Sequence, residues 1–101
     1  MNNDFMNTYN RLPVVFKTAK GAVLTDIDDK EYLDFGAGIA VNCLGHGHPS
    51  LVKAVQQQAA SMMHICNFYQ SDVSLAFARA LVESCSSVGM KKVFLGNSGA
   101  E

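Results

Sequence analysis

The chain has 101 residues, 49% of them hydrophobic and 17% charged, with a net charge of −1. That near-neutral balance offers nothing to nucleic acid or an anionic membrane, and no apolar run approaches the ~20 residues of a transmembrane helix. Met1-Asn2-Asn3-Asp4-Phe5 lacks a signal peptide's basic and apolar segments, and Cys43, Cys66 and Cys85 form no CxxC pair, so they read as reduced, mostly buried thiols of a cytoplasmic protein.

In chain order, residues 2–10 predict a short helix with Phe5, Met6 and Tyr9 on one side, ended by Arg11-Leu12-Pro13. Val14-Val15-Phe16-Lys17 predicts a first strand, Lys20-Gly21 a turn and Ala22-Val23-Leu24-Thr25 a second strand. Asp26-Ile27-Asp28-Asp29-Lys30 has turn chemistry, and Glu31 to Phe35 alternates outward and inward as a third strand. The three make an antiparallel meander. No period fits residues 36–42, and Gly45-His46-Gly47-His48-Pro49 is a loop. Pro49 or Ser50 opens a helix with Leu51, Val55, Gln58-Ala59 and Met62 at helical spacing. After an irregular stretch from His64 to Tyr69, Ser71-Asp72 caps a second helix, which ends at Ser86-Ser87-Val88-Gly89.

Val93-Phe94-Leu95 predicts a continuous apolar strand of the kind buried within a parallel sheet. No second strand of that kind lies upstream to pair with it. It runs into Gly96-Asn97-Ser98-Gly99-Ala100-Glu101, a small-residue turn at the expected start of a helix. Small side chains let a ligand approach the backbone, and the free N–H groups of a first helical turn attract an anion. Gly99 and Ala100 would donate backbone N–H groups to a phosphate monoester, with the Ser98 hydroxyl beside them. The turn matches neither GxxxxGK[ST] nor GxGxxG. The unpaired strand and the unfinished helix predict the first part of a larger phosphate-binding protein.

Other clusters read more plainly. His46-x-His48 lacks the third and fourth ligands of a metal site, so the imidazoles are expected to bond local backbone in a rigid Gly/Pro loop. Asp26, Asp28, Asp29 and Glu31 lack the order of an EF-hand and read as a solvated turn. Asn67-Phe68-Tyr69 reads as a hydrophobic cap or a ligand or subunit contact. No metal site, nucleophile–base pair or catalytic constellation emerges.

Together these pieces resemble one family. Asn7-Thr8-Tyr9-Asn10-Arg11-Leu12-Pro13-Val14-Val15-Phe16 is similar to the opening of class III pyridoxal-phosphate aminotransferases. So are Gly21-x-x-Leu24-x-Asp26-x-Asp28-x-Lys30-x-Tyr32-Leu33-Asp34-Phe35, Gly38 through Pro49, and the closing Gly96 to Glu101. The ordered set covers nearly the whole chain and stands nearest the acetylornithine branch. The resemblance implies an α/β fold, a fragment of the type I aminotransferase fold. Residues 1–48 would be the N-terminal part of the small domain, with its helix and meander. Residues 49–101 would start the large cofactor-binding domain, with residues 93–95 as its first strand.

It further implies pyridoxal 5′-phosphate as cofactor, held at its phosphate by Ser98, Gly99 and Ala100. Ile39 stands where some relatives acting on free ornithine carry a tyrosine, and an aliphatic residue suits an N-acylated donor. The implied reaction moves the terminal amino group of N2-acetylornithine to 2-oxoglutarate, in arginine biosynthesis, by a cytoplasmic homodimer. Asn67-Phe68-Tyr69 would lie near its subunit interface. None of Lys17, Lys20, Lys30, Lys53, Lys91 or Lys92 matches the family's cofactor lysine, so this segment is expected to contain no catalytic residue and to be inactive alone. Alternatives are another ω-aminotransferase, acting on ornithine, succinylornithine or 4-aminobutyrate, and a short binding protein without catalysis.

Overall fold

Gly21-Ala22 and the aspartate-rich loop after it divide the first half into three strands. A computed structural model describes residues 4–100, with strands β1 (Phe16–Lys20), β2 (Val23–Asp26) and β3 (Glu31–Leu33) in one antiparallel sheet of order β1-β2-β3. Lys20 pairs with Val23, so the turn is Gly21-Ala22 rather than the expected Lys20-Gly21, and β1 lies two residues later than predicted. Gly21 supplies the φ of +57° that a two-residue connection requires. The register then shifts between Phe16 and Thr18, leaving Lys17 as an extra residue. Its ammonium reaches Asp29 at 2.6 Å.

The β2–β3 loop is organised by one carboxylate. Asp26 is 6% exposed and is the one buried residue among those described. Its Oδ1 accepts the N–H groups of Asp28 and Lys30, both at 2.9 Å, and its Oδ2 accepts the Tyr32 hydroxyl at 3.0 Å. The Lys30 N–H above all, with Tyr32 and Asp28 adding to it, holds the Asp26 carboxyl below its ordinary pKa of 3.8. Tyr32 also meets Phe16 edge to face, with ring centroids 5.4 Å apart, which ties β3 to β1 across the sheet.

After β3 come a single turn, α1 (Ala37–Ala40), and two helices, α2 (Pro49–Ser61) and α3 (Asp72–Ser84). A capping box starts α3: Ser71 Oγ accepts the Ser74 N–H at 3.1 Å, and Ser74 Oγ accepts the Ser71 N–H at 3.2 Å. A 3-10 turn (Ser86–Val88) follows, and Gly89 closes it at φ +75°. The chain divides into two compact units, Met1–Ala59 and Ala60–Glu101.

Three expectations need correction. Residues 4–10 form no helix, and residues 2–3 of that expected helix lie outside the described residues. Short backbone bonds such as Thr8 N–H to Met6 O replace it, and Arg11 covers the Phe5 and Tyr9 rings at 5.3 and 5.5 Å. Seven residues with three asparagines or aspartates cannot nucleate a helix without a surface to bury Phe5 and Met6 against. Residues 93–95 pair with no strand among the described residues, and Phe94 is 82% exposed. A strand of that type forms only when neighbours supply its hydrogen bonds. Finally, Cys43 and Cys66 are exposed rather than buried, and no hydrophobic residue among those described is buried.

Candidate functional site

Asp34, one residue past β3, is where the loop geometry of the first unit converges. Its Oδ1 accepts the Ala37 N–H at 2.7 Å, and its Oδ2 lies 2.7 Å from Nε2 of His46. An ionised carboxylate only accepts, so the imidazole donates from Nε2. Both residues are largely shielded, with side chains 13% and 23% exposed. The His46 bond first and the Ala37 N–H second hold the Asp34 carboxyl below its ordinary pKa of 3.8. The imidazoles were expected to bond local backbone; His46 instead bonds a carboxylate twelve residues away.

His46 is also fixed through its backbone. Its N–H donates to Gly21 O and its carbonyl accepts the Gly21 N–H, both at 2.8 Å, so the β1–β2 turn and the His loop form one two-bond bridge. Gly45 makes that approach feasible. At φ +79° a Cβ there would stand 3.1–3.2 Å from the Gly21 backbone. His48, two residues on, has a buried Nδ1 with no hydrogen-bond partner among the described residues.

Between Asp34 and His46 the chain makes a left-handed turn. Ala37, Gly38, Ile39 and Ala40 have φ of 45°, 63°, 61° and 62°. Each non-glycine residue there costs roughly 1–2 kcal/mol, and a β-branched isoleucine fits worst. Three residues held so must be over-determined by their surroundings. Gly36 O accepts from the Ile39 and Ala40 N–H groups at 2.8 and 3.2 Å, Ala37 O accepts from Val41 and Asn42, and Asp34 anchors the Ala37 N–H. The product is an isoleucine held out from the turn, 96% exposed. Ile39 was legible as a candidate; the strained turn and its Asp34–His46 anchor were not, because Ala and Ile argue locally against φ > 0.

In the second unit, Ser98, Gly99 and Ala100 lie in an exposed turn. No backbone hydrogen bond among the described residues engages their N–H groups. A Cβ on Gly99 would meet no described atom within 4 Å. The expected helix beyond Ala100 lies outside the described residues. Asn67 and Phe68 are the central residues of a turn closed by the Tyr69 N–H to Cys66 O bond, with Phe68 96% exposed. An open groove of about 500 Å³ runs between α3 and residues 91–93, lined by Arg79, Glu83, Lys91 and Lys92 among others. Ile39 and the 98–100 turn belong to different units.

Comparison with known proteins places these features in a family. The model of the class III aminotransferases matches residues 5–101. The acetylornithine aminotransferase of Methanosarcina acetivorans is 50% identical over 95% of this chain, which covers 24% of that protein. An ornithine δ-aminotransferase structure from Plasmodium falciparum matches 94% of the chain with a TM-score of 0.86 and 32% identity, over 24% of its own length. The taurine:2-oxoglutarate aminotransferase of Bifidobacterium kashiwanohense, in complex with PLP and glutamate, matches 94% with a TM-score of 0.85 and 28% identity, over 22% of its length. The chain therefore spans about a quarter of the length of the curated relatives it matches. With a family model matched over nearly every residue and solved aminotransferases sharing its fold, the chain belongs to the class III aminotransferases.

Proposed function

We propose that these residues are the N-terminal segment of a pyridoxal-phosphate aminotransferase that moves the terminal amino group of N2-acetylornithine to 2-oxoglutarate. The observation that carries the donor is that curated relatives 44–50% identical to this chain are acetylornithine aminotransferases. Residues 1–48 belong to the small domain and residues 49–101 to the large one. The protein is a cytoplasmic homodimer in this reading, with the exposed Phe68 and Tyr69 as subunit contacts.

The 98–100 turn fits the cofactor's phosphate. Its side chains are small, no backbone carbonyl among the described residues takes its N–H groups, and no described atom lies within 4 Å of a Cβ on Gly99. Gly99 and Ala100 would donate backbone N–H groups to the phosphate oxygens, and Ser98 would add its hydroxyl. When bound, the cofactor supplies the electron sink and carries the amino group between the two substrates. Ile39 presents an apolar surface to the distal end of the donor. That surface accepts an N-acyl group and leaves a free ammonium without a hydrogen-bond acceptor, which disfavours unacylated ornithine.

A donor panel on the full-length protein carrying these residues, with pyridoxal phosphate and 2-oxoglutarate, tests the reading. The expected order is N2-acetylornithine over ornithine by at least about tenfold in kcat/KM. Preference for ornithine or 4-aminobutyrate would replace the donor while keeping the reaction. The structure match to the Plasmodium falciparum enzyme favours ornithine as the second candidate.

A further inference from the structure

We propose that Asp34 and His46 are positioning residues for the amino donor: their side-chain pair holds the left-handed Ala37–Ala40 turn and thereby fixes where Ile39 stands. The inference rests on the aminotransferase reading above and adds two residues that do not themselves touch the donor.

The geometry leads there in three steps. First, a turn with three non-glycine residues at positive φ does not persist on its own local preference. Its internal bonds, from Gly36 O and Ala37 O, hold the turn's shape without fixing its base to the rest of the unit. Second, the one side chain bonded to the turn's backbone among the described residues is Asp34, through the Ala37 N–H at 2.7 Å. Third, the other oxygen of that carboxylate is taken by His46, whose own backbone is bridged to Gly21 in the β1–β2 hairpin. A path of short hydrogen bonds therefore runs from the rigid hairpin through His46 and Asp34 to the base of the turn. At its end stands Ile39, on a strained backbone. A β-branched residue in the left-handed region is unfavourable by conformation. Its retention there has a use if an apolar group must be met at that point.

Asp34→Ala removes the side-chain anchor while the residue-34 N–H keeps its 2.9 Å bond to Ala22 O, and Asp34→Asn keeps an acceptor for the Ala37 N–H and a polar partner for His46. Two measurements on the full-length protein test the proposal. The first needs no cofactor: amide hydrogen exchange at Ile39, Ala40 and Asn42. Exchange is expected to quicken by on the order of tenfold in Asp34→Ala and His46→Ala, and to stay near wild type in Asp34→Asn, with Leu24 and Tyr32 in the sheet unchanged. The second is the ratio of kcat/KM for N2-acetylornithine to that for ornithine. It is expected to fall roughly tenfold in Asp34→Ala and to recover in Asp34→Asn. General destabilisation lowers both donors alike and leaves that ratio in place. Because Asp34 acts through Ile39, the Asp34→Ala/Ile39→Ala pair should show the selectivity of Ile39→Ala alone.

Unchanged exchange in the turn overturns the proposal. So does faster exchange with an unchanged donor ratio, or full additivity of the two substitutions. A wild-type protein that turns over no ω-amino donor overturns the functional reading, and with it the donor half of the proposal. Its exchange data would still show whether Asp34 and His46 hold the turn.

Discussion

Replacing Gly45 by alanine should open the bridge between the His loop and the β1–β2 hairpin, and Gly47→Ala provides the matched comparison. Both glycines have positive φ, +79° and +68°, so each substitution costs roughly 1–2 kcal/mol in backbone conformation. At Gly47 that is the whole penalty, since a new Cβ would meet nothing within 4 Å. At Gly45 the Cβ would stand 3.1 Å from Gly21 O and 3.2 Å from Gly21 C and Cα. Those are backbone atoms of a hairpin and cannot swing aside, so the bridge must part. Its two hydrogen bonds, each 2.8 Å, contribute about 1 kcal/mol apiece. The sum is about 3–4 kcal/mol, or roughly a hundredfold or more in an opening equilibrium. Amide exchange at Gly21 and His46 in the full-length protein reads that opening directly. Gly45→Ala should raise both rates by at least about a hundredfold and Gly47→Ala by about thirtyfold or less. Equal effects from the two substitutions would refute the steric argument.

Ser71→Ala removes one arm of the capping box on α3 and should cost about 1 kcal/mol, seen as faster exchange at Ser74 and Leu75. Ala40→Gly relieves one left-handed alanine and should stabilise the turn by about 1 kcal/mol, after the greater freedom of glycine in the unfolded chain is offset. Slower exchange at Asn42 would show it. Asp26 and Asp34 both have folded pKa values lowered from 3.8, so the unfolded chain binds more protons in acid. The stability they contribute is present above pH 3.8 and is lost as pH falls through the lowered folded values. An acid titration followed by circular dichroism should show that loss, and Asp26→Asn should flatten it.

Much of the fold was legible because its signals are local. Ser71-Asp72 and Gly89 mark the ends of α3 and its following turn, and Pro49 opens α2, each by chemistry confined to a few residues. The meander was legible in type and slipped in position, because either Lys20-Gly21 or Gly21-Ala22 is an acceptable turn until the partner strand chooses the register. Non-local features were hidden. Asp34 and His46 lie twelve residues apart with no spacing rule to join them. The left-handed turn runs against the preferences of Ala37, Ile39 and Ala40, as strained segments near functional sites tend to do. The apolar run at 93–95 shows what strand it favours without supplying a partner. The open small-residue turn at 98–100 was legible from residue size alone.

The Asp26 carboxylate has a consequence for how this segment can vary over evolutionary time. It reaches Asp28, Lys30 and Tyr32 at once, so it measures the distance around the β2–β3 loop in whole residues. One inserted residue would carry the Lys30 N–H out of reach and turn Tyr32 to the opposite face of β3, away from Phe16. Side chains at Ile27 and Asp28 are free to drift while the loop's length is not. Among descendants of this sequence, substitutions should accumulate in that loop and insertions should be purged from it.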